Sequence, residues 1–172
     1  KDFTIEQVFY RGHLVAEKGV PLFETSLPSN EAMNHTLNIK PFTLGNLALK
    51  SGAGDTYPVI EIVPGQIITR WLQERPLRRN GTIIPDPEQD LLKLVVVERH
   101  KATGNIGIGL VKGFGLKKGA LGTSVAHDSH NVVVVGTNDE DIYAAVKEIE
   151  INQGGLAVTV EGRVIGSLPL PI

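Results

Sequence analysis

Residues 131–160, "NVVVVGTNDEDIYAAVKEIEINQGGLAVTV", hold the signals that decide the fold. Val132, Val133, Val134 and Val135 form an unbroken β-branched run, the pattern of a strand covered on both faces. The period then changes. Thr137 or Asn138 can cap a helix, Asp139, Glu140 and Asp141 suit the positive end of its dipole, and Ile142, Val146 and Ile149 fall on one stripe. Gly154 supplies the stop, and 155–170, "GLAVTVEGRVIGSLPL", reads as a hairpin that turns near Glu161-Gly162.

Outward from this unit, "PVIEIV" (58–63), "QIITRWL" (66–72), "LLKLVVVER" (91–99) and "NIGIGLVKGF" (105–114) read as strands, the first two joined across Pro64-Gly65. The glycine-rich 113–126, "GFGLKKGALGTSVA", is expected to form a second helix. Arg75, Arg78 and Arg79 stand beside Pro76 and the turn pair Asn80-Gly81 and read as a solvated loop. Residues 3–24 read as two or three short strands turning at Arg11-Gly12 and Lys18-Gly19, a ribbon too small to stand without another sheet. Many strands, few helices and no regular βαβ alternation predict an α+β fold with a mixed or mainly antiparallel sheet. The expected organisation is therefore strands of a composite β-sandwich over 1–25, a linker over 26–36 and the α+β domain over 37–172.

Composition narrows the function classes. The 172 residues suffice for one domain of ordinary size, and 41% hydrophobic with 21% charged residues describes a folded globular chain. Seventeen Lys and Arg against 19 Asp and Glu leave a formal charge of −2, with no electrostatic footprint for nucleic acid or an anionic membrane. The absence of cysteine excludes disulfides, thiolate zinc sites and thiol nucleophiles. No apolar run approaches the roughly 18 residues of a membrane span, and the first residues lack the pattern of a signal peptide, so a cytoplasmic protein is expected. A first residue that is not Met and already looks mid-strand leads us to expect a piece of something longer.

The densest chemistry lies in "TSVAHDSHN" (123–131), with Ser124, His127, Asp128, Ser129, His130 and Asn131. His127 and His130 are three apart, a chelating spacing on a helix, yet on an extended chain such positions point to opposite faces. Ser, His and Asp are all present, but adjacent residues rarely face one another and no G-x-S-x-G elbow occurs. Two readings stay open: a turn hydrogen-bonded by its own side chains, or a polar loop that contacts a ligand. Glu98 and His100, flanking Arg99 at a strand end, are weaker candidates. His13, His35 and Trp71 read as surface, capping or packing residues.

Three motifs, "ERH" with the following "TGNIG", "GFGLKKGALGTSVAHDSHNVVVVGTND" and the closing "LPLPI", closely resemble the C-terminal region of bacterial and archaeal adenine deaminases of the amidohydrolase superfamily. The resemblance spans about residues 59 to 172, and residues 3–24 resemble the strands that follow the catalytic barrel in that family. It implies hydrolysis of adenine to hypoxanthine and ammonia, an N-terminal catalytic barrel as partner, and room for a homodimer. It also implies a binuclear divalent metal centre of iron, manganese or zinc on that barrel. This chain has no H-x-H motif and is expected to bind no cofactor itself, so its own part is a polar active-site loop and domain packing. The other reading is a stand-alone small-ligand binding or assembly module.

Overall fold

The computed structural model describes residues 4–24 and 35–172. The chain divides into two compact units, Lys1–Glu31 and Ala32–Ile172. In the first, β1 (Gln7–Tyr10), β2 (His13–Glu17) and β3 (Val20–Pro21) form an antiparallel sheet in chain order. Its two turns, Arg11-Gly12 and Lys18-Gly19, have positive φ at both residues, which matches the right-handed twist of a hairpin. The linker expected at 26–36 falls, up to residue 34, outside the described residues.

The second unit is built on an eight-stranded sheet in the order β14-β13-β11-β12-β9-β10-β5-β6. Its strands are β5 (Tyr57–Ile62), β6 (Thr69–Glu74), β9 (Leu91–Val97), β10 (Ile106–Lys112), β11 (Ala120–Thr123), β12 (Val132–Gly136), β13 (Gly155–Val160) and β14 (Arg163–Pro169). Neighbours are antiparallel except the parallel pair β5 and β10, so the sheet is mixed and, with one α-helix among the described residues, the fold is α+β as expected.

That helix, α1 (Asp139–Ile151), forms where the cap and stripe predict it. The Asn138 side chain accepts from the Asp141 N–H at 2.7 Å, and three acidic residues fill the first turn. Ile142, Ala145, Val146 and Ile149 are buried against Val132, Val134, Ala120 and Ala157. Small residues in the sheet let the helix approach: a Cβ on Gly136 would lie 2.5 Å from Ile142 Cγ1, and one on Gly122 would lie 2.9 Å from Ile149 Cδ1.

Three expectations need correction. Residues 113–126 do not form a helix: Gly113, Gly115 and Gly119 all take positive φ, and the Asp90 carboxylate accepts the Gly113 and Gly115 N–H groups at 2.9 and 2.8 Å. The turn they make delivers β11 between β12 and β13, an insertion no local period announces. The arginine-bearing segment is solvated as expected, with Arg75, Arg78 and Arg79 exposed, but it is not all loop. Leu77–Arg79 is β7, paired across Asn80-Gly81 with β8 (Thr82–Ile84), and β4 (Leu49–Lys50) completes a small sheet. Ile83 of β8 is fully buried with Leu49, Val59, Leu91 and Leu110. Finally, the valine run is buried on both faces except at one residue: Val132 and Val134 meet the helix, Val135 is buried on the opposite face with Leu92, Val111 and Leu116, and Val133 is half-buried.

Replacing Gly136 with Ala forces a methyl group into the space held by Ile142 and Ala120, so G136A is expected to destabilise the fold by about 1–3 kcal/mol. Gly109 in β10 has open space at its Cβ position, and G109A is expected to stay within about 0.5 kcal/mol of wild type. Urea unfolding of both variants checks the contrast.

Candidate functional site

The polar stretch singled out in the sequence is the connection from β11 to β12. Its first residue, Ser124, is buried: the hydroxyl accepts from the Gly155 N–H at 2.9 Å while the Ser124 N–H donates to the Gly155 carbonyl at 2.9 Å. Ser124 therefore ties the loop to the start of β13 and does not present its hydroxyl to solvent. The chain then turns. The His130 N–H donates to the Ala126 carbonyl at 2.6 Å, and His130 itself takes a φ of 51°. At the tip, the His127 and Asp128 side chains are 92% and 94% exposed, with Nδ1 2.9 Å from Oδ1. A pair so open is free to meet a ligand. Ser129 and His130 are exposed as well.

Asn131, at the return into β12, is half-buried. Its backbone N–H donates to Ser129 Oγ at 3.4 Å, while its Oδ1 is shielded from solvent and has no hydrogen-bond partner among the described residues. Both open readings of the stretch are thus represented: a self-bonded turn whose apex presents an imidazole and a carboxylate.

The loop is held from the neighbouring strand end. Arg99, which follows β9, is buried and its Nε donates to the His130 carbonyl. His100 Nε2 donates to the Ser129 carbonyl at 3.1 Å. These two bonds grip the loop by its backbone, and the side chains of His127, Asp128, Ser129 and His130 bond only within the loop if at all. Glu98 organises the gripping residues. Its carboxylate accepts from the N–H groups of His100, Lys101 and Thr103 at 2.5, 2.7 and 2.9 Å and from the Thr103 hydroxyl at 2.8 Å. The Thr103 and Lys101 amides, followed by the other donors, stabilise the charged form and hold the Glu98 pKa at about 2.

The structure therefore brings the strong and weak candidates together, but in different roles. His127, Asp128, Ser129 and His130 face solvent; Glu98, Arg99 and His100 support them from behind. Arg99 is the residue the sequence undervalued, since a charged residue at a strand end ordinarily points outward. The signal available was only its place inside "ERH". Among the described residues, no three His, Asp or Glu side chains are grouped to hold a metal ion.

Comparison with known proteins locates this assembly in a family. The profile of the adenine deaminase C-terminal domain matches residues 66–172, which contain the entire loop and its supports. The chain belongs to this family. A protein named adenine deaminase from Dehalococcoides mccartyi is 55% identical over 168 residues, covering 98% of this chain and 29% of that protein. Adenine deaminases of Halalkalibacterium halodurans and Methanothrix thermoacetophila are each 45% identical, over 175 and 174 residues, covering 100% and 99% of this chain and 30% of each relative. The chain thus spans about 30% of the length of the curated relatives it matches. All five of its histidines lie outside any H-x-H pattern.

Because the folded-state pKa of Glu98 lies below its ordinary value of 4.5, its contribution to stability is present above about pH 4.5 and is lost as the pH falls toward 2. E98Q is expected to be less stable than wild type at neutral pH, with the difference closing across that window. Denaturant midpoints measured from pH 7 to pH 2.5 test this, and a difference that is constant across the range would remove the proposed anchor.

Proposed function

We propose that this region is the C-terminal domain of an adenine deaminase, which hydrolyses adenine to hypoxanthine and ammonia, and that the loop over 126–131 faces its substrate. The observation that carries the proposal is the His127–Asp128 pair, fully presented on a loop whose backbone is clamped from Arg99 and His100. Family membership supports the reaction class, and the relatives' names supply the substrate.

The region's own residues suit such a task. With Nδ1 turned to Asp128, the His127 ring leaves Nε2 free to hold or transfer a proton, and the carboxylate sets the orientation of the ring. Adenine offers ring nitrogens and an exocyclic amine, so a site that recognises it needs neutral donors and acceptors at fixed places. Ser129, His130 and Asn131 are residues of that kind. Backbone anchoring serves this purpose, since a loop held by its carbonyls keeps its side chains available.

In this proposal the binuclear divalent centre, whether iron, manganese or zinc, belongs to a barrel in the part of the polypeptide outside this chain. The described residues do not fit it, as they group no set of metal ligands. Residues 1–25 would complete a small β-sandwich beside that barrel, 26–36 would link the two parts, and the whole would be a cytoplasmic enzyme, free to act as a homodimer. No described helix is long and apolar enough to cross a membrane.

Two measurements test the proposal. In the full-length enzyme, H127A is expected to lower kcat/KM by about 10²-fold, the lower end for loss of a proton-transfer group, with an unchanged unfolding midpoint because the side chain is exposed. If H127A, H130A and N131A each keep wild-type turnover, affinity and stability, the loop does not face the substrate. The 172-residue chain assayed alone with added divalent metal is expected to show no turnover. Deamination by it would overturn the division of roles.

A further inference from the structure

The eight-stranded sheet has two faces of different chemistry. Strand register puts Lys93, Lys112, Glu61, Arg70 and Glu74 on the face that α1 and the β4-β8-β7 sheet cover. The opposite face, followed from β13 to β6, carries no charged residue at all. Leu121, Val133 and Leu156 on this face border an apolar trough of about 560 Å³, closed at its sides by Phe114, Val125 and Leu170. Leu121 is 37% exposed, Val125 is 63% exposed, and at the far end of the same face Trp71 is 70% exposed. At the centre of this face Leu92, Val111 and Val135 are already buried with Leu116 packed against them, so the part open to water beside them is the trough, and an open apolar patch of this kind marks an interaction site.

Two observations select its occupant. The chain accounts for about 30% of the length of its relatives, so most of such a polypeptide lies outside it and is available as an occupant. The trough also runs directly into the polar loop, because Thr123 and Val125, which line it, lead to His127. Whatever fills the trough therefore has the loop at its rim. We propose that this uncharged sheet face is the seat of the portion of the long polypeptide outside these residues, through an apolar, uncharged patch of that portion, and that this docking carries the 126–131 loop to the edge of the joint. The proposal rests on the reading of this region as part of a longer enzyme. It accounts for Val133, the one residue of the valine run that the domain leaves half-buried, which lines the trough.

The test uses the full-length protein with photoreactive benzoylphenylalanine replacing Leu121 or, since it is the more exposed and tolerant position, Val125. A control replaces Ile151, 76% exposed at the end of α1 on the other side. Illumination followed by denaturing electrophoresis and peptide mapping is expected to yield, from positions 121 and 125 and not from 151, a product of single-chain mass linked to a peptide outside these 172 residues. A product of doubled mass would mean that a second copy covers the face, and absence of any link, or links only within this region, would mean that nothing outside it does. Each of these overturns the proposal. The readout is independent of turnover, so loop variants that retain full activity would defeat the substrate-facing role while leaving the docking result standing, and the converse holds equally.

Discussion

The seating of α1 on Gly122 and Gly136 is the contact on which the rest of the domain depends. A helix normally stands about 10 Å from a sheet, with side chains from both filling the gap. Here the sheet contributes hydrogen atoms and two alanines at the centre, so Ile142 and Ile149 reach down to the backbone. The two glycines lie on β11 and β12, which are adjacent and antiparallel, and the helix covers both together with β13. Strand order at this end of the sheet is thereby coupled to helix position. Any side chain added at the floor displaces the helix from the sheet.

The same closeness determines what the β11–β12 connection can be. With both strands held beneath the helix, the connection must span from Thr123 to Val132 within narrow limits, and each end is secured by a separate bond: Ser124 to Gly155 at the start, Arg99 to His130 near the finish. What remains free is the apex. Backbone restraint with side chains exposed at the apex suits a ligand-facing loop, because ordering has been completed before any ligand arrives. Glu98 extends the restraint one step further back, using its carboxylate to shape the β9–β10 turn from which Arg99 and His100 act.

An α+β unit of two layers leaves one sheet face without a covering layer, and proteins usually make such a face polar. This one is uncharged over seven strands. Alternation in a half-exposed strand reads as polar outward and apolar inward; here both phases are apolar at Val132–Val135, and in Leu91–Val97 and Leu156–Val160 the polar residues, Lys93 and Thr159, sit on the phase that faces the helix side. Part of this face is buried within the domain around Leu92, Val111 and Val135, and the open remainder is the trough proposed above as a docking seat.

The sequence alone determined α1, because a cap, a dipole-matched first turn and a 3.6-residue stripe are all local, and it determined most strands and the α+β class for the same reason. It also located the polar loop and the family resemblance. It did not reveal β11, β7 or β8: glycines and arginines carry weak local preference, and those segments become strands only because Ile83 and the glycine floor find partners far away in the chain. Nor could it assign roles within the candidate residues. Ser124 and His127 look equally polar on paper, and Arg99 looks exposed. Only the tertiary structure, by burying Ser124 and Arg99 against backbone groups from β13 and the loop and leaving His127 in water, separates the residues that hold the site from those that face outward.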